Sequence, residues 1–165
     1  MRGKWTEIEG DVLGAFAPSI IVHGCNCKGV MGGGVALAVR SKYPAAYQAY
    51  MRTHCTPIDD SRSGLRLGSI IPVEVEPNKW IVNAMTQDDF GTNKRQVNYE
   101  AMYSCFEGVN KFAREILAER SIIPEIAFPM IGAGLAGGNW EIIKTIIDQT
   151  LDATFDRKYF VFIPR

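Results

Sequence analysis

The sequence predicts an α/β fold of three layers, α/β/α, around a mixed, mostly parallel central sheet of about six strands. Three observations carry that expectation. Strand-like and helix-like segments alternate along all 165 residues without a repeat or a low-complexity linker. Ser19 to His23 is an almost unbroken apolar run, as expected of a strand covered on both faces. Two glycine-rich segments, Gly24 to Val35 and Ile131 to Trp140, each follow a short apolar run and precede a helix-like stretch. Helices must then cover both faces of the buried strands, which gives the three layers.

Each element has its own justification. Trp5 to Glu9 alternates as a strand and ends at Gly10-Asp11; Ser19 to His23 follows as the buried strand. Val35 to Lys42 and Ala45 to Thr53 form two short helices separated at Pro44, whose ring and missing N–H disfavour continuation. Cys55 to Gly64 is polar and turn-rich. Ser69 to Val75 and Trp80 to Met85 make the one expected antiparallel pair, joined by the turn chemistry of Glu76-Pro-Asn-Lys79. Asp88 to Gln96 is a loop. From Asn98 to Arg120, Met102, Cys105, Phe106, Val109, Phe112, Ala113, Ile116 and Leu117 keep helical spacing. Ile122 to Phe128 returns to strand. Ile142, Ile143, Ile146, Ile147 and Leu151 mark a one-sided helix, and Tyr159 to Ile163 a last strand. The length fits a single domain over residues 1–165.

Composition narrows the function classes. Lys and Arg number 18 and Asp and Glu 18, so no global field points to nucleic acid or to an anionic membrane. No apolar stretch approaches the roughly 20 residues needed to span a bilayer. Met1-Arg-Gly-Lys-Trp5 reads as domain-like sequence, so no signal peptide is expected, and the four cysteines form no framework with clear spacing. Cys25-Asn-Cys27 lacks the paired spacing and histidine partners of a zinc site. The expectations are reduced thiols, a cytoplasmic setting, no cofactor and no metal.

Glycines permit close backbone approach, and free N–H groups at a helix start favour an anion. Two such loops suggest a ligand gripped from both sides, such as a pyrophosphate. Gly132-Ala-Gly134-Leu-Ala-Gly137 matches G-x-G-x-x-G, but the strand that follows is the chain's last and ends without an acid. Neither loop continues into Gly-Lys-Ser/Thr, so a Walker A loop is also excluded. The alternative is that the glycines serve only tight turns.

At these residues the chain resembles a macrodomain, the ADP-ribose-binding fold. Gly10-Asp11-Val12, the segment His23-Gly-Cys-Asn-Cys-Lys-Gly-Val-Met-Gly-Gly-Gly34, Asn98-Tyr99-Glu100 and Pro129 to Trp140 match in order over nearly the whole chain. His23 to Cys27 with Gly32 to Gly34 and Lys42-Tyr-Pro44 is most similar to the yeast-type ADP-ribose-1″-phosphate phosphatase branch. The related terminal ADP-ribose protein glycohydrolases carry a lysine and an aspartate where this chain has Gln87 and Ala136.

The resemblance implies roles. Asp11 would accept the adenine amino group, with Val12 adding a backbone contact. Gly32, Gly33, Gly34, Val35 and the loop Ile131, Gly132, Ala133, Gly134, Leu135 and Ala136 would embrace the pyrophosphate. Asn26, a catalytic candidate together with His23, would fix the distal ribose, or else only stabilise its own loop. His23 would transfer a proton near neutral pH, or else be a satisfied core histidine. Asp88 and Asp89 could orient water, Phe90-Gly91 could cover the distal ribose, Trp140 would pack, and His54 has no motif behind it. The partners implied are ADP-ribose and its 1″-phosphate. The activity implied is metal-independent phosphatase chemistry, with ADP-ribosyl hydrolysis or binding alone as alternatives.

Overall fold

The computed structural model describes residues 4–60, 62–151 and 158–163; the readings of residues 1–3 and of 164–165 lie outside them. The described residues form six strands and four helices. The strands are β1 (Lys4–Glu9), β2 (Ser19–Cys25), β3 (Ile70–Glu76), β4 (Lys79–Met85), β5 (Glu125–Pro129) and β6 (Lys158–Ile163). The helices are α1 (Gly34–Lys42), α2 (Pro44–His54), α3 (Tyr99–Arg120) and α4 (Trp140–Thr150).

The strands lie in the order β1-β6-β5-β2-β4-β3. All neighbours are parallel except β3 and β4, which pair antiparallel, so the sheet is mixed and mostly parallel as expected. Side chains alternate across a strand. Ile20 and Val22 of β2 therefore face Met102, Phe106 and Val109 of α3 together with Ile143 of α4. Ile21 points the other way, to Val39 of α1 and Ala46 of α2. A strand covered on both sides must be apolar at each position, and that explains the unbroken run.

Pro44 does more than stop α1. It opens α2 at the first turn, where its missing N–H has no partner to lose. Asn98 and Asn139 cap α3 and α4, accepting from Ala101 N–H and Glu141 N–H at 2.9 Å each. The expected strand from Ile122 begins only at Glu125. Pro124 has no N–H to offer a ladder, and Ile122 packs into the α3–α4 side of the core instead. A short 3-10 turn at Val12–Gly14, capped by Asp11, is an element the sequence pattern did not announce.

This topology positions the site. β2 and β5 are adjacent and parallel, so the chain leaves both at the same end of the sheet. Each exit is one of the glycine loops. Asp11 leaves β1 at that end too, three strand spacings from β2, or about 14 Å along the sheet edge.

Candidate functional site

Loop 1 runs from Asn26 to Gly33. Its first half is fixed by side chains that fold inward. Asn26 Oδ1 accepts from the N–H groups of Lys28 (3.0 Å) and Val30 (3.3 Å), and Asn26 Nδ2 donates to the Val30 carbonyl at 2.7 Å. The Tyr50 hydroxyl, on α2, lies 2.7 Å from the Asn26 carbonyl oxygen and 2.9 Å from Oδ1, and it accepts from Gly29 N–H at 3.1 Å. Met31 is buried beside Tyr50, Cys25, Cys27 and Met85. Sequence reasoning missed Tyr50 because its only signal is a large residue on a short helix. It also gave His54 no role, yet the His54 ring lies against Gly29 so closely that a Cβ there would sit 2.6 Å from Cδ2. His54 Nδ1 meets Ser63 Oγ at 2.8 Å.

Loop 2 runs from Met130 to Asn139. Ile131 N–H donates to the Pro129 carbonyl (2.6 Å), Ala133 N–H to Met130 (3.1 Å) and Gly138 N–H to Gly132 (2.7 Å). Gly132 has φ +77, and a Cβ there would lie 2.9 Å from Met102 Cε and Val97 Cγ2. Its glycine is required for packing and conformation alike. Gly134 is different. Its φ is not in the left-handed region and an added Cβ would meet nothing within 4 Å. Neither packing nor backbone geometry demands glycine there, so what its missing side chain keeps clear is the space above the loop.

The two loops meet. A Cβ on Gly33 would lie 3.2 Å from Leu135 Cδ1, and one on Gly34 3.6 Å. Among the described residues, no acceptor takes the N–H groups of Gly32, Gly33, Gly34, Val35 and Ala36 on one side, or of Gly132, Gly134, Leu135 and Ala136 on the other. Several of these open α1, where the first N–H groups have no partner in the helix. The expectation for loop 2 needs one correction: Ile131 and Ala133 use their N–H groups within the loop and have none to give an anion through the backbone. At the β1 end, Asp11 is exposed, and its Oδ1 accepts from Leu13 N–H at 2.9 Å. Val12 is buried, and its N–H has no acceptor among the described residues.

The segment after β4 borders both loops. Asp88 accepts from Cys27 N–H at 2.9 Å through its carbonyl and faces Lys28 Nζ at 3.3 Å through its carboxylate. A bridge between Gln87 and Val97 closes the segment, and the Gln96 and Val97 N–H groups donate to the Ala136 carbonyl at 2.8 and 3.3 Å. Asp89 Oδ1 accepts from Phe90 N–H at 2.8 Å, and Phe90 is exposed. Trp140 opens α4 and packs against the core, as expected.

The two residues expected to act in chemistry are placed otherwise. His23 is fully buried and lies opposite Asn83 in the β2–β4 register. Asn83 Nδ2 donates to the Ala46 carbonyl at 3.1 Å, which turns Oδ1 toward His23 Nε2 at 2.6 Å. Nε2 therefore carries the hydrogen and donates. Burial pushes the His23 pKa down to about 4, against a smaller upward pull from Asn83. The imidazole is a neutral, hydrogen-bonded core group beneath α2, without a face toward the cleft, so its proton-transfer role is withdrawn. Asn26 is also buried and holds its own loop, the second of its two expected roles. No cluster of three or more His, Cys, Asp or Glu among the described residues is arranged to hold a metal.

Two glycine loops at the ends of adjacent parallel strands, with an acid at the end of a third strand, define an α/β architecture of the kind that takes ligands beyond the carboxyl ends of its strands. A family model described as Macro domain matches residues 22–147, and the chain belongs to that family. It is 34% identical over 146 residues, 86% of each chain, to a protein of Enterobacteria phage T4 described as an uncharacterized 17.5 kDa protein in the tk-vs intergenic region. It is 28% identical over 194 aligned positions, 96% of each chain, to the ADP-ribose 1″-phosphate phosphatase of Neosartorya fischeri. Among solved structures it resembles a macrodomain protein from Streptomyces coelicolor, with a TM-score of 0.72 and 28% identity over 96% of this chain and 98% of that one.

Proposed function

We propose that this chain binds ADP-ribose derivatives across the ends of β1, β5 and β2 and hydrolyses the terminal phosphate of ADP-ribose 1″-phosphate. The observation that carries the binding half is the meeting of the two loops at Gly33 and Leu135, with backbone N–H groups from both sides left without acceptors among the described residues. Charge-assisted hydrogen bonds of this kind contribute on the order of 1.5–3 kcal/mol each, so a diphosphate is held without lysine. Asp11, about 14 Å along the sheet edge, offers its second carboxylate oxygen to the adenine amino group, and Val12 N–H supports the ring. The spacing suits an extended nucleotide rather than a lone phosphate.

In hydrolysis, water oxygen adds to the terminal phosphorus, the bond from phosphorus to the C1″ oxygen breaks, and that oxygen takes a proton. ADP-ribose and inorganic phosphate leave. The chain's contribution is to hold the diphosphate rigidly and to stabilise developing negative charge with oriented amides. The named phosphatase relative aligned over almost the full length supports this reaction class. Four cysteines that remain free thiols support a reducing, cytoplasmic setting as part of the same proposal.

Binding without turnover is the second reading, favoured by the burial of His23, which removes one proton-transfer group from the cleft. One experiment separates them. The protein is incubated in chelator with ADP-ribose 1″-phosphate and, in parallel, with ADP-ribosylated protein and nucleic acid. Phosphate release supports the proposal. Release of ADP-ribose from the modified macromolecules would replace it with ADP-ribosyl hydrolysis, and tight binding without product would leave the binding role alone.

A further inference from the structure

We propose that Tyr50 is the positioning residue of this cleft: its buried hydroxyl locks the first half of loop 1 and so aims the amides of Gly32 to Val35 at the ligand. The inference rests on the ADP-ribose reading for its ligand, but its structural half stands on hydrogen bonds alone.

Loop 1 faces two ways. The N–H groups of Lys28, Gly29 and Val30 turn inward, to Asn26 Oδ1 and the Tyr50 hydroxyl. The N–H groups of Gly32 to Val35 remain without protein acceptors among the described residues. Glycine-rich backbone has no intrinsic preference for this division, because it populates many conformations with similar ease. Something rigid must impose it. Within the loop, Asn26 is the inner template, with both ends of its amide engaged by residues 28–30. Asn26 sits in the same loop, however, and cannot fix that loop to the rest of the fold by itself.

Tyr50 makes that connection. It projects from α2 (Pro44–His54) and is fully buried among Cys25, Cys27, Met31, Leu65 and Met85. Its hydroxyl touches the loop at three points, the Asn26 carbonyl, the Asn26 amide oxygen and Gly29 N–H. Burial holds the phenol well above its ordinary pKa, so the hydroxyl keeps its proton throughout the working range. Met31, anchored in the same cluster, carries the chain from this lock to the glycine run. Ordering the loop before binding removes an entropic cost from association, so the lock appears in ligand affinity rather than only in stability.

Tyr50→Phe keeps the ring and removes the hydroxyl. The expected result is ADP-ribose affinity at least tenfold weaker by calorimetry. Amide exchange at residues 28–30 should be faster, and exchange in α3 unchanged. Asn26→Ala breaks the same lock from the loop side, and the double variant should be no weaker than the worse single variant. Val109→Ala, a core change on the opposite face of the sheet, is the control: it should lower stability while leaving affinity and loop exchange alone.

Retention of affinity within twofold by Tyr50→Phe, or by Asn26→Ala should the first not fold, would overturn the proposal. Should the wild-type protein fail to bind ADP-ribose, the ligand reading falls, and the exchange comparison still decides whether Tyr50 holds the loop. Unchanged exchange at residues 28–30 would then reject it.

Discussion

Acid should destabilise this protein through His23, by an amount the structure sets. The imidazole pKa falls from 6.5 to about 4 on folding because burial penalises the charged ring. The unfolded chain therefore binds a proton more readily than the native one between those values. Stability from this group is complete above pH 6.5 and is lost as pH falls toward 4. At about 1.36 kcal/mol per pKa unit, lowering the pH from 7.5 to 4.5 removes roughly 2–3 kcal/mol. Carboxylates titrate in the same range, so the comparison is with His23→Gln, whose amide can still donate to Asn83 without titrating. Urea unfolding at several pH values should show the wild type losing roughly 2–3 kcal/mol more than the variant over that interval. Equal losses, or a His23 ring resonance titrating near 6.5, would refute the buried neutral imidazole and reopen its place in the chemistry.

Other outcomes follow from single positions. Asp11→Ser keeps an acceptor for Leu13 N–H but loses the second carboxylate oxygen. Calorimetry should show ADP-ribose binding weakened about tenfold with the fold intact, and unchanged affinity would remove Asp11 from the site. Gly132→Ala, forced into φ +77 against Met102 and Val97, should cost about 1–3 kcal/mol in urea unfolding, whereas Gly134→Ala should change stability by under about 0.5 kcal/mol. Cys55 is exposed, whereas Cys25 is buried and burial pushes Cys27 up to about 11 and Cys105 up to about 12. A thiol reagent near pH 8 should accordingly label Cys55 quickly in the native protein and the other three only after denaturation.

Much of the fold was legible because its causes are local or periodic. The Ser19 to His23 run could be buried only on both faces, and the spacing from Met102 to Leu117 could serve only one helix face. The hairpin followed from Pro77-Asn78, where Asn78 adopts φ +59. The late start of β5 was not visible, since Ile122 and Ile123 look like strand residues until Pro124 interrupts the ladder. Within the site, the glycine loops were legible as anion cradles because glycine and a following helix start are sequence features. Which amides remain open was not, because Ile131 and Ala133 lose theirs to turns that depend on the loop's path. His23 shows the limit most clearly. A histidine at the end of a strand beside a glycine loop has one sequence appearance whether it faces ligand or core. Strand parity and the Asn83 partner sixty residues away decide which. Tyr50 was invisible for the same reason, since its meaning lies in contacts made across 21 to 24 positions.

The central claim is that amides from two facing loops close on one diphosphate, and Gly33 probes it most directly. Its backbone is extended at φ −153, which any residue adopts, but a side chain there would enter the gap beneath Leu135. A calorimetric titration with ADP-ribose should give one saturable site in the wild-type protein. In Gly33→Val the affinity should fall at least a hundredfold, with a stability loss of only about 1 kcal/mol from the weaker helix cap. No binding by the wild type, or equal affinity in the variant, would contradict the account.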